Sequence, residues 1–322
     1  MSGIAVLGAG AFGTALAISL AQTGQPVWLW GRDPDAIRDM QDARENISRL
    51  PGFAFPENLR PIDDLPEACQ AQIIMFAVPT QVLSAILHQS APWPVGRTLV
   101  ACCKGIDLAT GHGPVSTIEA IVPNAVAALL SGASFAVDIA KGLPTALTLA
   151  GRNRDGLPGL QSRLSTPTLR LYRSSDVTGV EIGGALKNVI AIACGITIGA
   201  GLGESARAAL MTRGYAEMVR LATALGARAE TLAGLSGFGD LALTCTSEKS
   251  RNFSFGLQLG RAGHATANAT TEGVATAQAA LALAQKTGVD MPISTMMATV
   301  LGGKIGVGAA IEALLARPLT SE

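Results

Sequence analysis

Ile4-Ala5-Val6-Leu7-Gly8-Ala9-Gly10-Ala11-Phe12-Gly13-Thr14 sets four apolar residues, a glycine-rich turn and the start of an apolar helix in immediate succession. Four consecutive apolar residues suit a strand buried on both faces, as parallel strands are. Gly8 permits the tight turn, Gly10 lets the backbone approach a pyrophosphate, and Gly13 lets the helix pack closely on the strand. The first N–H groups of the helix then face the anion. In a chain with 37 glycines the triplet means little by itself; its position between a strand and a helix gives it force.

Working outward, short apolar runs recur at residues 4–7, 27–30, 73–78, 98–102, 125–130 and 146–150, with helical stretches between them. That alternation predicts βαβ units and a doubly wound, Rossmann-type parallel sheet. From Asp176 onward convincing strands stop, and Ala-, Leu- and Gly-rich helical stretches such as residues 205–225 and 271–287 take over. The expected architecture is therefore α/β: a dinucleotide-binding domain over residues 1–176 and an all-α domain over residues 177–322, joined by one long helix.

A length of 322 residues and 48% apolar content supply enough material for two cores. Lys plus Arg and Asp plus Glu both total 24, so global charge gives no basis for a nucleic-acid surface or a polybasic membrane anchor. The longest uncharged stretches, around residues 121–137 and 188–203, are broken by Pro123, Asn124, Ser131 and glycines and read as buried core, not as membrane spans. The start has no secretory pattern, and the expectation is a cytoplasmic protein. Cys69, Cys102, Cys103, Cys194 and Cys245 form no CxxC pair, and three scattered histidines suggest no cluster, so no metal is expected.

The second apolar run leads into Gly31-Arg32-Asp33, about twenty residues past the loop, where an acidic residue would bind the ribose of NAD. Arg32 arrives first, and its guanidinium would pair with a 2′-phosphate, favouring NADPH over NADH. Asp33 could instead cap the next helix or serve the ribose. After the later strands come Val78-Pro79 and Cys103-Lys104-Gly105; a lysine at a strand end suits an anion or a polarised oxygen, and equally a solvated loop.

Farther on, Gly183-Gly184-Ala185-Leu186-Lys187-Asn188 lies near the start of the expected connecting helix. There Lys187 would face an interdomain cleft. Partial desolvation and a second cation nearby would lower its pKa, suiting it to exchange a proton during hydride transfer, with Asn188 able to hydrogen-bond the substrate. Asp240 in Gly237-Phe238-Gly239-Asp240-Leu241 is a carboxylate in apolar surroundings. It reads as the partner of Lys187, as the N-cap of a helix starting at Leu241, or as both. Ser250-Arg251-Asn252 offers a hydroxyl, a guanidinium and an amide, suited to a phosphate dianion or to a surface loop. Glu272 reads as a helix-start acid.

In register, these motifs resemble the NAD(P)-dependent glycerol-3-phosphate dehydrogenases of bacterial type over nearly the whole chain. The residues that carry the resemblance are the glycine loop with Thr14, Leu29 to Asp33, Cys103-Lys104-Gly105, Ser131-Gly132-Ala133-Ser134-Phe135-Ala136, Gly183 to Asn188, Asp240 with the six residues after it, and Ser250-Arg251-Asn252. It implies reversible reduction of dihydroxyacetone phosphate to sn-glycerol 3-phosphate for glycerophospholipid synthesis, by a homodimer. It further implies Lys187 as the proton carrier and Lys104 as a contact to both substrate and cofactor. Gly132, Ser134, Asn188, Asp240, Thr244, Ser250, Arg251 and Asn252 correspond to substrate contacts, and Ala11, Phe12, Arg32, Ala136, Arg251, Thr270 and Glu272 to cofactor contacts. The chain departs from the family's usual pattern at Ala133, where proline is common, at Val137-Asp138, and at Thr270, where valine is usual.

Two other readings are weighed against this one. A β-hydroxyacid dehydrogenase shares the two-domain plan but would have a different anion site in place of Ser250-Arg251-Asn252. A silent NADPH-binding sensor would need the glycine loop without Lys104, Lys187 and Asp240.

Overall fold

The computed structural model describes residues 3–93, 95–264 and 271–316. The chain divides into two compact units, one of Met1–Lys104 with His112–Glu181 and one of Gly105–Gly111 with Ile182–Glu322.

The first unit is built on an eight-stranded sheet in the order β3-β2-β1-β4-β5-β6-β7-β8. Its strands are β1 (Ile4–Leu7), β2 (Val27–Trp30), β3 (Leu59–Ile62), β4 (Ile73–Phe76), β5 (Thr98–Ala101), β6 (Val126–Ser131), β7 (Thr145–Gly151) and β8 (Leu169–Ser174). Ile4 and Val6 point into one apolar layer with the helices Ala11–Ala21, Pro34–Ala43 and Leu157–Leu164. Ala5 and Leu7 point into the other with Thr80–Gln89 and Pro114–Ile121. The twofold alternation of a strand thus feeds two cores, which is why the runs are apolar at every position.

Two features differ from the sequence reading. β3 and β8 escape a search for continuous apolar runs, because β3 is Leu-Arg-Pro-Ile and β8 alternates buried Leu169 and Leu171 with exposed Arg170 and Tyr172. Both are edge strands, where Pro and charge are tolerated. The sheet is also not parallel throughout: β1 to β6 are, but β7 pairs antiparallel with β6, and β8 follows β7. Apolar runs do not encode strand direction.

The second unit is helical. Its central element is Val177–Gly199, whose residues from Ile182 onward belong to this unit. This helix is long and apolar enough to cross a membrane by length and composition, but 89% of its most apolar window is buried inside the protein, as a core helix should be. It packs on the helix Arg251–Ala262 with backbone nearly touching backbone. A Cβ on Gly195 would lie 2.2 Å from Phe253 O and one on Gly199 2.3 Å from Leu257 O, while Cβ atoms on Gly256 and Gly260 would lie 2.1 Å from Ile192 O and 2.4 Å from Ile196 O. Four-residue spacing on both helices makes two reciprocal glycine stripes, since residues i and i+4 share a face. The short excursion Gly105–Gly111 also belongs here, with Ile106 2% exposed in this unit's apolar core.

Candidate active site

In the first unit the glycine loop has the form an anion cradle needs. Gly8 adopts φ +118, and a Cβ there would meet Ala77 O at 2.5 Å; a Cβ on Gly13 would meet Gly8 O at 2.0 Å. A Cβ on Gly10 would meet nothing within 4 Å, so the loop is open on that side. Gly10 is the N-cap of the helix Ala11–Ala21, and no side chain caps it. Its first amides, at Ala11, Phe12 and Gly13, are the donors that an anion would use. A dinucleotide's pyrophosphate fits this arrangement.

Asp33 accepts hydrogen bonds from Asp35 N (3.1 Å) and Ala36 N (3.4 Å), capping Pro34–Ala43. Its Oδ1 is thereby engaged, and Arg32 stands exposed just beyond the end of β2. Beyond β5, Lys104 Nζ donates to Gly132 O at 2.8 Å, joining the carboxyl ends of β5 and β6. Beside Gly132, the hydroxyls of Ser131 and Ser134 are buried with no hydrogen-bond partner among the described residues. Orphaned buried hydroxyls are costly unless a ligand or water completes them. Ala136 opens the short helix Ala136–Ala140, which no side chain caps. Burial pushes the Cys102 thiol up to about 12, against the pull of Lys104, which leaves it unreactive.

In the second unit Lys187 and Asp240, 53 positions apart, meet at 2.6 Å between Nζ and Oδ1; Lys187 Nζ also donates to Thr244 Oγ1 at 2.9 Å. Thr244 Oγ1 in turn donates to Asp240 Oδ1 at 3.2 Å. Asp240 is 1% exposed and Lys187 7%. Asp240 is helical already, with φ −72 and ψ −33, and follows a π-helical turn at Leu235–Gly239. It therefore does not cap the helix at Leu241, and its carboxylate is directed to the ammonium. Gly183 makes that approach possible, because a Cβ there would lie 2.7 Å from Ser236 O on the π turn. The partner of Lys187 is thus a carboxylate in its own unit, an arrangement that lets a charged ammonium stay buried.

Ser250, Arg251 and Asn252 separate into different tasks. Ser250 Oγ accepts from Phe253 N at 3.2 Å and caps Arg251–Ala262. Asn252 Nδ2 donates to Asn188 Oδ1 at 3.0 Å, and its Oδ1 accepts from Gly273 N at 3.1 Å. These bonds tie together the helices Val177–Gly199, Arg251–Ala262 and Glu272–Thr287. Arg251 is the exposed member of the three. Enough protein surrounds its guanidinium for desolvation to lower its pKa, with the Glu272 carboxylate acting in the opposite sense. Glu272 is half-buried at the head of its helix, and Thr270 lies outside the described residues.

Sequence reasoning missed two buried polar residues and a half-buried one. Asn46, 1% exposed, donates from Nδ2 to Ala9 O (3.0 Å) and Thr14 Oγ1 (2.8 Å). Glu217, also 1% exposed, accepts from Ile293 N, Ser294 N and Ser294 Oγ at 2.6, 3.0 and 2.8 Å, capping a helix from another element. Glu181 accepts from Val115 N at 2.7 Å at the head of Pro114–Ile121, and burial pushes its carboxyl up to about 7. Residue type at these positions carries no local signal of such a distant partner.

Two family models cover this chain: the N-terminal part of NAD-dependent glycerol-3-phosphate dehydrogenase matches residues 3–156, and the C-terminal part matches residues 176–312. Curated relatives named glycerol-3-phosphate dehydrogenase [NAD(P)+] include one from Ruegeria sp., 56% identical over 319 residues and covering 99% of both chains. Another, from Paracoccus denitrificans, is 55% identical with the same coverage. Among solved structures, that of glycerol-3-phosphate dehydrogenase from Coxiella burnetii superposes with a TM-score of 0.92 at 36% identity, covering 98% of this chain and 99% of that one.

Proposed function

The chain belongs to the family of NAD-dependent glycerol-3-phosphate dehydrogenases, and from that premise we propose that it interconverts dihydroxyacetone phosphate and sn-glycerol 3-phosphate with Lys187 as general acid and base. As a member it is an NAD(P)-dependent oxidoreductase acting on a small phosphorylated substrate. The observation that carries the assignment of Lys187 is its buried contact with Asp240 at 2.6 Å.

Bound at the glycine loop, the dihydronicotinamide cofactor supplies the hydride. Gly8, Gly10, Ala11, Phe12 and Gly13 take its pyrophosphate, and Arg32 takes the 2′-phosphate of NADPH, favouring that cofactor. Ala136 and Glu272 complete the cofactor contacts. Lys104, braced on Gly132 O, with Ser134 beside it, contacts the substrate. As the ketone oxygen gains negative charge, Lys187 Nζ gives it a proton; in the oxidative direction the same nitrogen takes the proton back. Asp240 compensates the ammonium before transfer, and Thr244 fixes where Nζ points. Arg251 holds the phosphate by charge-assisted hydrogen bonds, while Asn188, Ser250 and Asn252 set the frame from which it reaches. We place the enzyme in the cytoplasm, as a homodimer supplying glycerophospholipid synthesis.

The test is an absorbance assay of the purified chain with NADPH or NADH, offering dihydroxyacetone phosphate and, separately, unphosphorylated oxo acids. Oxidation of cofactor with the phosphorylated ketone alone is the expected outcome; turnover of the oxo acids instead would replace this reading with a hydroxyacid dehydrogenase.

A further inference from the structure

We propose that Asn46 is a positioning residue for the dinucleotide: by holding the Ala9 carbonyl it aims the Gly10 N–H at the pyrophosphate. The inference rests on the reading that the glycine loop binds that group. Its ground is the geometry of one peptide. Across a trans peptide, the C=O of one residue and the N–H of the next point in opposite directions. Asn46 Nδ2 donates to Ala9 O at 3.0 Å. The Gly10 N–H is therefore turned away from Asn46, and a glycine-rich peptide without such a tether is free to rotate.

The side chain is itself held at every polar atom. Its second Nδ2 proton goes to Thr14 Oγ1 at 2.8 Å, on the first turn of the helix that follows the loop. Its Oδ1 accepts from Ser48 Oγ and Arg49 N, both at 3.2 Å. The main chain around it is equally constrained. Arg44 takes φ +52, and its guanidinium donates to Leu59 O at 3.0 Å and Pro56 O at 2.6 Å; its own carbonyl accepts from Phe55 N at 2.7 Å. A non-glycine residue persists in that conformation only where its surroundings over-determine it. The loop after the second helix is thus a rigid bracket whose inward tip is the Asn46 amide. Both ends of the glycine turn, Ala9 and Thr14, hang from it.

Asn46→Ala and the near-isosteric Asn46→Asp, which lacks both donors, test this by steady-state kinetics. In both variants KM for NADPH and KM for NADH are expected to rise by the same factor, about ten- to a hundredfold. The pyrophosphate is common to the two cofactors. Turnover at saturating cofactor and KM for dihydroxyacetone phosphate should stay within about twofold of the unsubstituted chain, a split that general loss of structure would not produce. Unchanged KM for both cofactors, a rise confined to NADPH, or a parallel loss in turnover and substrate KM would overturn the proposal. Should Asn46→Ala fail to fold, Asn46→Asp carries the same expectation, and Thr14→Val, which removes one of the two acceptors, should raise both cofactor KM values by a smaller common factor. Failure of the unsubstituted chain to bind either dinucleotide would overturn instead the assignment of the loop.

Discussion

Lys187 and Asp240 bury opposite charges 2.6 Å apart, and Thr244 donates to the carboxylate while accepting from the ammonium. Removing either charge strands the other. Lys187→Ala should therefore lower kcat by about 10²- to 10⁴-fold, the usual weight of a general acid and base. It should also lower thermal stability, because Asp240 loses its buried partner. Asp240→Asn keeps the shape and a hydrogen-bond acceptor but not the charge; its kcat should fall while cofactor KM is retained. Kinetics alongside thermal melts separate the two effects, and full activity in Lys187→Ala would refute the assigned chemistry.

Because Asp33 Oδ1 caps the helix Pro34–Ala43, the exposed guanidinium of Arg32 is the group to test for cofactor choice. Arg32→Ala should raise KM for NADPH much more than KM for NADH, by about tenfold or more if a charge-assisted contact is lost. An equal effect on both would remove Arg32 from recognition of the 2′-phosphate.

The reciprocal glycines predict a large response to one methyl group. Gly256→Ala would place a Cβ 2.1 Å from Ile192 O, against backbone that cannot swing aside. We expect a loss of at least about 1–3 kcal/mol on overpacking grounds, despite alanine's better helix propensity. Denaturant unfolding should show it as a lower midpoint; an unchanged midpoint would mean that the helices do not pack this closely.

Glu181 predicts a pH effect. Burial holds its folded pKa at about 7, against 4.5 ordinarily, so the folded state binds the proton more tightly than the unfolded one. The sign follows: this contribution favours folding fully below about pH 4.5 and is lost as pH rises through about 7. Glu181→Gln keeps an acceptor for Val115 N and does not titrate. Its unfolding free energy relative to the unsubstituted chain should rise between pH 5 and 8, by an amount on the order of 1–3 kcal/mol, read as a rise in relative melting temperature. Parallel melting curves across that range would exclude it.

Legibility in the sequence followed physical cause. Strands buried on both faces were visible as unbroken apolar runs, and Gly8 and Gly13 as parts of a turn that side chains would block, with Gly10 open between them. β3 and β8 were not, since an edge strand can carry Pro61 or Arg170. The encounter of Lys187 with Asp240 was legible in part from charge: a carboxylate in apolar surroundings demands a cation, although an N-cap fitted the same spacing. The π turn that delivers Asp240 left no trace in residue type. Ser250 and Asn252 left two readings open in the sequence, because hydroxyls and amides that suit a phosphate suit a helix cap or a helix junction equally well.

Ile106 has a bearing on synthesis and on dissection. It is encoded in the first third of the chain, yet it completes the apolar interior of the unit that is made last. While the ribosome is still producing the first unit, residues 105–111 have no interior to enter, and this apolar side chain waits until the helices beyond Ile182 arrive. Nor does one cut yield two intact halves: severing the chain near residue 181 leaves the first piece with an apolar residue without its core and the second with a gap where Ile106 belongs. A fragment of residues 182–322 is best rebuilt by supplying the missing segment, either as an added peptide or by circular permutation.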